Sequence, residues 1–213
     1  MTNPTVTGLY ENINMDKQGF DLLVSSHGTY FYWYTFDKDG LPIYYIGGGG
    51  GNSFRLWVTD GNRDEHEIGE CTFTPTMVMA YTQEMGRVTI PVTPIVLTSH
   101  SHDDAWVDDR NGADGKPLYP AEGFTIHFWN NLCSALWFTY KNGRPWWYVC
   151  PGVRQPTNSD VYDLSIIEIE NGRFMYGGGD ENEVGTARLE IVDDDSITIA
   201  GALGNNFLLS RLF

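Results

Sequence analysis

The chain has 213 residues, with 13 Lys or Arg against 28 Asp or Glu, a formal net charge of −15. That balance excludes nucleic acid and anionic membrane surfaces as partners, since their negative charges demand a basic face. No apolar run approaches the ~18 residues of a bilayer-spanning helix, and aromatics at 14% with 24 glycines suit short strands and many turns.

Residues 1–18 open with a short apolar segment and a polar turn from Asn12 to Gln18. The first residues carry neither a basic n-region nor an apolar h-region, so no signal peptide and a cytoplasmic location are expected. Phe20 to Val24 reads as a strand. Tyr30 to Phe36 is an aromatic and β-branched run with strand propensity at every position. Asp37-Lys38-Asp39-Gly40 turns the chain and Ile43 to Ile46 returns, with Pro42 at the start of the returning arm, where a missing N–H is tolerated. Gly47 to Gly51 is read as a wide flexible turn, because a phosphate cradle needs a following Lys-Ser/Thr and a helix, and neither is present. Phe54 to Val58, Met77 to Thr82 and Val88 to Leu97 are further strands.

The chain then repeats itself. Gly19, Phe20, Trp33 and Thr35 recur at a constant offset as Gly123, Phe124, Trp137 and Thr139. One residue is lost in the turn, and Gly40, Pro42, Tyr44-Tyr45 and Ile46 recur as Gly143, Pro145, Trp147-Tyr148 and Val149. In the second copy Asn142-Gly143 is the dipeptide of a type I′ hairpin turn, which takes positive φ at both central residues. Phe54 to Val58 is matched by Tyr162 to Ile166, and Glu67 to Phe73 by Glu183 to Leu189. Ser196 to Leu203 and Phe207 to Leu212 close the second copy. No window shows a sustained 3.6-residue apolar period, so very little helix is expected. Units that share a period usually need each other to bury their apolar faces.

Cys71, Cys133 and Cys150 make an odd number without metal-ligand spacing. Cys133 and Cys150 lie on the two arms of the second hairpin, diagonal to one another. Free buried thiols are expected there, with a bridge as the alternative.

Between the copies, Thr98 to Lys116 is the most acidic and polar stretch. Asp109, Asn111 and Asp114, spaced by glycine, resemble the oxygen donors of a calcium loop, although the spacing departs from the EF-hand and no closing Glu is present. His100 and His102, alternate residues beside Asp103, would share a face of an extended segment and suit a transition metal. A solvated loop is the third reading. No other cofactor is expected.

The opening Gly8-Leu9-Tyr10, Gly19, Trp33 to Asp37, Gly40, Pro42 and Tyr44-Tyr45 resemble an uncharacterised bacterial β-repeat with the hairpin motif WYTYDxxGxPxWY. Trp137 to Tyr140, Gly143, Pro145, Trp147-Tyr148, Val184 to Ala187 and Ser210-Arg211-Leu212 resemble it in the second copy. Tyr10 stands where the motif has Trp-Tyr, and Tyr44 where it has Trp. The resemblance implies a β-repeat fold and carries no activity.

The expected architecture is all-β: a single domain over residues 1–213, an antiparallel β-barrel or closed sandwich of two pseudo-symmetric halves, about 5–108 and 109–213, whose closure removes exposed sheet edges. Its rival is two independent small barrels. On the hairpin strands Trp33 and Thr35 share one face, and Tyr32, Tyr34 and Phe36 the other. The aromatic faces are either core or the wall of a cavity. The leading functional reading is a non-enzymatic binding protein that holds a small neutral molecule, carbohydrate or hydrophobic, against Trp33, Tyr45, Trp137, Trp147 and Tyr148. An alternative is a cofactor-free cyclase, isomerase or lyase in which the aromatic cavity shapes the substrate and His127, of a residue type whose unperturbed pKa lies near neutrality, or a Tyr hydroxyl acts as general acid or base. A protein-interaction module is the third.

Overall fold

Sixteen β-strands and no helix make up the described residues of the computed structural model, which are 7–25, 28–49, 51–60, 64–82, 85–97, 102–116, 118–119, 122–173 and 178–212. The first eight strands are β1 (Gly8–Asn12), β2 (Met15–Ser25), β3 (Gly28–Phe36), β4 (Pro42–Gly49), β5 (Ser53–Thr59), β6 (Glu65–Thr74), β7 (Met77–Thr82) and β8 (Gly86–Leu97). Each lies beside its chain neighbour, and β8 pairs antiparallel with β1, so the meander closes into a barrel. The second eight are β9 (Asp104–Val107), β10 (Gly123–Trp129), β11 (Leu132–Lys141), β12 (Arg144–Arg154), β13 (Val161–Glu170), β14 (Asp180–Asp193), β15 (Ser196–Ala202) and β16 (Asn205–Arg211). They repeat the same order, and β16 closes onto β9.

The all-β, closed antiparallel architecture expected from the sequence is what the chain forms. It forms it twice, where one barrel shared by both halves was expected. Eight strands are enough to enclose a filled interior, so each repeat pairs its own edge strands and needs no second half to cover them. The boundary shifts as well. Asp104–Val107, read as linker, is the first strand of the second barrel, and Trp106 faces Phe124 as Tyr10 faces Phe20 in the first. Gly47 to Gly49, read as part of a wide turn, continue β4 opposite Thr29 to Phe31.

The interior of the first barrel is an aromatic stack. Phe20 and Phe31 stack at 5.3 Å, Phe31 and Phe54 at 5.5 Å, and Tyr10 meets Phe73 edge-on at 4.9 Å. Leu22, Leu56, Val78, Ile90 and Val92 fill the spaces between the rings. In the second barrel Phe124 stacks on Trp137 at 5.6 Å, with Phe207 edge-on to both, and Phe128 packs on Tyr162. The hairpin strands are buried on both faces. Leu23, Tyr34, Phe36 and Tyr44 in the first barrel, and Leu136, Phe138 and Trp147 in the second, turn away from the interior and are buried nonetheless. A strand buried on both faces reads as a continuous apolar run, which is the pattern of Tyr30 to Phe36 and Leu136 to Tyr140.

The repeated residues have repeated causes. A Cβ at Gly19 would stand 2.3 Å from the Tyr10 carbonyl oxygen, and one at Gly123 would stand 3.1 Å from that of Trp106, so the glycine lets the first strand of each barrel come close. Thr35 donates its hydroxyl to Gln18 Oε1 at 2.6 Å, and Thr139 donates to Glu122 Oε2 at the same distance, the acceptor in each case preceding the repeated glycine. Asn142 and Gly143 have φ of 54° and 72°, as a type I′ turn requires.

The acidic segment after β9 is a clasp on the last strand. The Asp108 side chain is almost fully buried (1% exposed) and accepts from Arg110 Nε at 2.9 Å, Arg110 Nη2 at 2.6 Å and the Leu208 amide at 3.0 Å. Arg110 and Tyr119 both donate to the Asn206 carbonyl, and the Tyr119 ring lies 4.4 Å from that of Phe207. Burial opposes ionisation of Asp108, but the donated hydrogen bonds and the Arg110 charge outweigh it and hold the carboxyl below its ordinary value.

Two outcomes are expected. Thr35→Val leaves the buried Gln18 acceptor without this donor, a loss of about 1–3 kcal/mol that a urea melt will show as a lower midpoint. Asp108, with its folded pKa below the unfolded value of about 3.9, contributes stability that is fully present above that value. The contribution is lost as pH falls through the folded pKa. Asp108→Asn should therefore flatten the part of the stability–pH curve below pH ~4, and should leave its slope unchanged between pH 6 and 8, as melting midpoints across that range will show.

Candidate functional site

Antiparallel registry builds a row of side chains across the outer face of the first barrel. Gly48 lies opposite Arg55, Arg55 opposite Glu70, Glu70 opposite Tyr81, and Tyr81 opposite Arg87. One pleat along, Ser53, Thr72, Met79 and Thr89 form a second row on the same face. The inward residues between the rows, Phe54, Cys71 and Ala80, belong to the core. Apart from Thr89, these outer rows line an open groove of ≈ 620 Å³ whose floor near β4 is the bare backbone of Gly48 and Gly49.

The groove presents mixed chemistry. Tyr81 is 48% exposed and Met79 41%, both unusually open for large apolar side chains on a sheet. Arg55 pairs with Glu67 at 3.2 Å along the strand edge. The Arg87 guanidinium and the Glu70 carboxylate make no ion pair or hydrogen bond among the described residues, so both signs of charge face the groove with bonding capacity to spare. Cys71 sits beneath it, but burial, reinforced by the Glu70 charge, pushes its thiol up to about 12. Cys71 is a wall and not a nucleophile.

Gly48 stands out among the glycines of β4. A Cβ at Gly47 would press on Phe31 and Phe54 at 3.2 Å, and one at Gly49 would meet the Ser53 carbonyl at 2.7 Å. At Gly48 the nearest atoms are those of the Tyr30 ring at 3.9 Å, and its φ lies in the range any residue adopts. The barrel does not require glycine there. Glycine in a strand interior often marks a bulge, a tight bend, or a close approach by a ligand or another backbone.

The corresponding face of the second barrel also carries a groove, of ≈ 610 Å³, lined by Asp163, Ser165, Thr186, Arg188, Ala200 and Gly201. Ala200 lies opposite Arg188 as Met79 lies opposite Thr72. That groove has no aromatic surface, and its arginine is drawn toward Glu190 at 3.9 Å.

The residues singled out in the sequence fall elsewhere. Trp33 and Tyr45 pack at 5.3 Å inside the first barrel, and Trp137 and Tyr148 at 5.1 Å inside the second. Trp147 lies on the opposite face of β12 from Tyr148 and is fully buried. None of the five lines either groove. His127 is 1% exposed, opposite Ser134 in β11, and turns to the other side of β10 from Phe124, Ile126 and Phe128. Cys71, Cys133 and Cys150 are free and buried.

In the acidic segment, Asp109, Asn111 and Asp114 are exposed, and Asp114 accepts from the Lys116 amide within a turn closed by Gly112 and Lys116. His102 accepts from the Trp106 indole through its carbonyl, and its Nε2 lies 3.6 Å from Asp194. Asp103 accepts from the Phe128 amide. His100 lies outside the described residues. Among the described residues no three His, Cys, Asp or Glu side chains gather as a metal site.

The groove residues were missed because their row runs across strands. Arg55, Glu70, Tyr81 and Arg87 are distant in the chain, and only registry makes them neighbours. The one local signal is β7, where Met77, Met79 and Tyr81 put large side chains on the alternation that should be polar.

Comparison of the chain with protein-family models, with curated proteins and with solved structures finds no match to any of them.

The two glycines differ in what packing requires of them. Gly19→Ala drives a methyl into the Tyr10 carbonyl and should cost on the order of 1–3 kcal/mol. Gly48→Ala should raise stability by roughly 0.5–1 kcal/mol. Paired thermal melts will check both signs.

Proposed function

We propose that the protein is a non-enzymatic binding module for a neutral, hydroxyl-rich ligand of the carbohydrate class, and that the ligand sits on the outer face of the first barrel. The reading is carried by the row Arg55–Glu70–Tyr81–Arg87 around an open groove. Its volume falls within the range of about 300–1,000 Å³ common for small-molecule sites.

The chemistry of the row selects the class. A purely hydrophobic ligand would cover the Glu70 and Arg87 charges without pairing them, a costly desolvation. A polyanion would meet the Glu70 carboxylate in a chain that is already strongly negative. A sugar satisfies each group in turn. Its hydroxyls donate to Glu70 and accept from Arg87, Arg55 and Thr72, and its apolar ring face covers Tyr81 as a flat surface does an aromatic platform. The aromatic side chain of the reading is thus Tyr81, and the buried Trp33 and Trp137 serve to hold the sheet that presents it.

The test is a screen of neutral glycans against the full chain by calorimetry, followed by variants of the groove. Tyr81→Ala, Glu70→Gln and Arg87→Gln are each expected to weaken binding by about ten-fold or more, near 1.4 kcal/mol, without lowering the melting midpoint. Trp33→Phe, which touches only the interior, should bind normally when folded. Binding that survives all three groove variants and fails in Trp33→Phe would refute the outer site.

A further inference from the structure

On the outer face of β6–β8 the charges are arranged with opposite signs about β7. Tyr81 stands at the centre of its row, with Glu70 opposite it on β6 and Arg87 opposite it on β8. A carboxylate and a guanidinium thus flank one aromatic ring, each one strand spacing away, roughly 4.8 Å. The neighbouring row has the same plan, with Thr72 on β6, Met79 on β7 and Thr89 on β8. Tyr81, Met79, Glu70, Arg87 and Thr89 are all exposed.

We infer that this face is self-complementary and that two copies of the chain pair through it, β7 on β7, about a two-fold axis close to the line of that strand. Such an axis turns β6 of one copy over β8 of the other and keeps each residue at its own height along the strands. Glu70 then meets the partner's Arg87, and Arg87 meets the partner's Glu70. Between these two ion pairs Tyr81 and Met79 meet the partner's Tyr81 and the partner's Met79, and Thr72 faces the partner's Thr89. A two-fold axis along the row would instead set Glu70 against Glu70 and Arg87 against Arg87, so the charges choose the first arrangement. The strands of the two copies stay within the ~30° of aligned sheet packing. The gap of ~10 Å between packed sheets is one that facing arginine and glutamate side chains can bridge. An isologous contact of this kind closes after two copies.

The chemistry of the row favours a second copy over other protein surfaces. Glu70 and Arg87 make no ion pair or hydrogen bond among the described residues, so each enters the contact with its bonding capacity intact. An apolar partner would bury both charges unpaired, whereas a second copy pairs both at once. The net charge of −15 opposes approach, but that repulsion is screened beyond about 8 Å at physiological salt, and the face itself carries both signs. Three strands of a curved wall offer a small contact, so the pairing is weak and reversible, with a Kd on the order of 100 µM. Pairing covers the groove at Glu70, Thr72, Met79 and Tyr81. The contact is read from the row itself; its consequence, that a second copy and a glycan exclude one another there, rests on the carbohydrate reading above.

The experiment is sedimentation equilibrium of the full chain at physiological salt, with protein raised to about ten times that Kd. Wild type should pass from monomer to dimer and no further. Glu70→Arg and Arg87→Glu, each shown to be folded by its melting midpoint, should weaken the dimer ten-fold or more, because each sets like charges face to face. Mixed in equal amounts, the two variants should recover the dimer, since their altered charges complement one another and both pairs re-form. Met79→Lys, which brings two cations together at the centre, is an independent probe and should weaken the dimer as much. A wild type that stays monomeric, reversals that pair as wild type does, or a mixture that stays monomeric overturns the pairing. A glycan that binds the wild type should lower its dimer fraction; if it binds and the dimer fraction holds, the exclusion is overturned and the pairing stands. If no glycan binds, the carbohydrate reading falls and the reversals alone decide the pairing.

Discussion

Antiparallel pairing of the last strand of each repeat with its first is the interaction on which the rest of the structure depends. The β1–β8 and β9–β16 ladders remove the free edges that two open meanders would expose. Closure also sets what the interior must be. An eight-stranded barrel has room for side chains and little else, so inward positions of the hairpin strands carry Phe20, Phe31, Trp33, Phe124 and Trp137, packed ring on ring. Gly19 and Gly123 follow from the same constraint, since the first strand comes close enough to forbid a Cβ. The interiors are filled, and the outer surface of β4–β8 combines a groove with an open aromatic ring.

The charge of the protein gives that surface its context. An excess of acidic residues spreads a negative potential that repels polyanions. Against it, Arg87 is a guanidinium without an ion-pair partner among the described residues, while Arg110 is tied down by Asp108 and Arg188 approaches Glu190. Glu70 lies on the same face with Tyr81 between it and Arg87, so charges of both signs stand along the row.

The hairpins were legible from the sequence because local rules govern them. Asn142-Gly143 dictates its own turn, and Trp33-Tyr34-Thr35 has no conformation open to it that suits it better than a strand. The repeat was legible because the same closure problem is solved twice with the same residues. Strand β9 was hidden, since four residues in an acidic stretch show no alternation and acquire strand geometry only by lying between β10 and β16. Both faces of β3 read as aromatic, and nothing local distinguishes an aromatic that fills an interior from one that lines a cavity. The groove was the least legible part. Its members become a row through registry between strands, and registry is settled by bulges such as that at Leu56/Trp57, which leave no mark in composition.

The buried thiols have a consequence of their own. Burial is the main cause that pushes Cys71 and Cys133 up to about 12, and it raises Cys150 further, so each is a solvent-shielded thiol that resists ionisation. Cys71 belongs to one barrel, and Cys133 and Cys150 to the other. An alkylating reagent can meet each sulfur only during an opening of the barrel that holds it. The molecule thus carries two internal clocks, one per barrel, and the pace at which each thiol is consumed measures how often that barrel, and not its neighbour, comes apart.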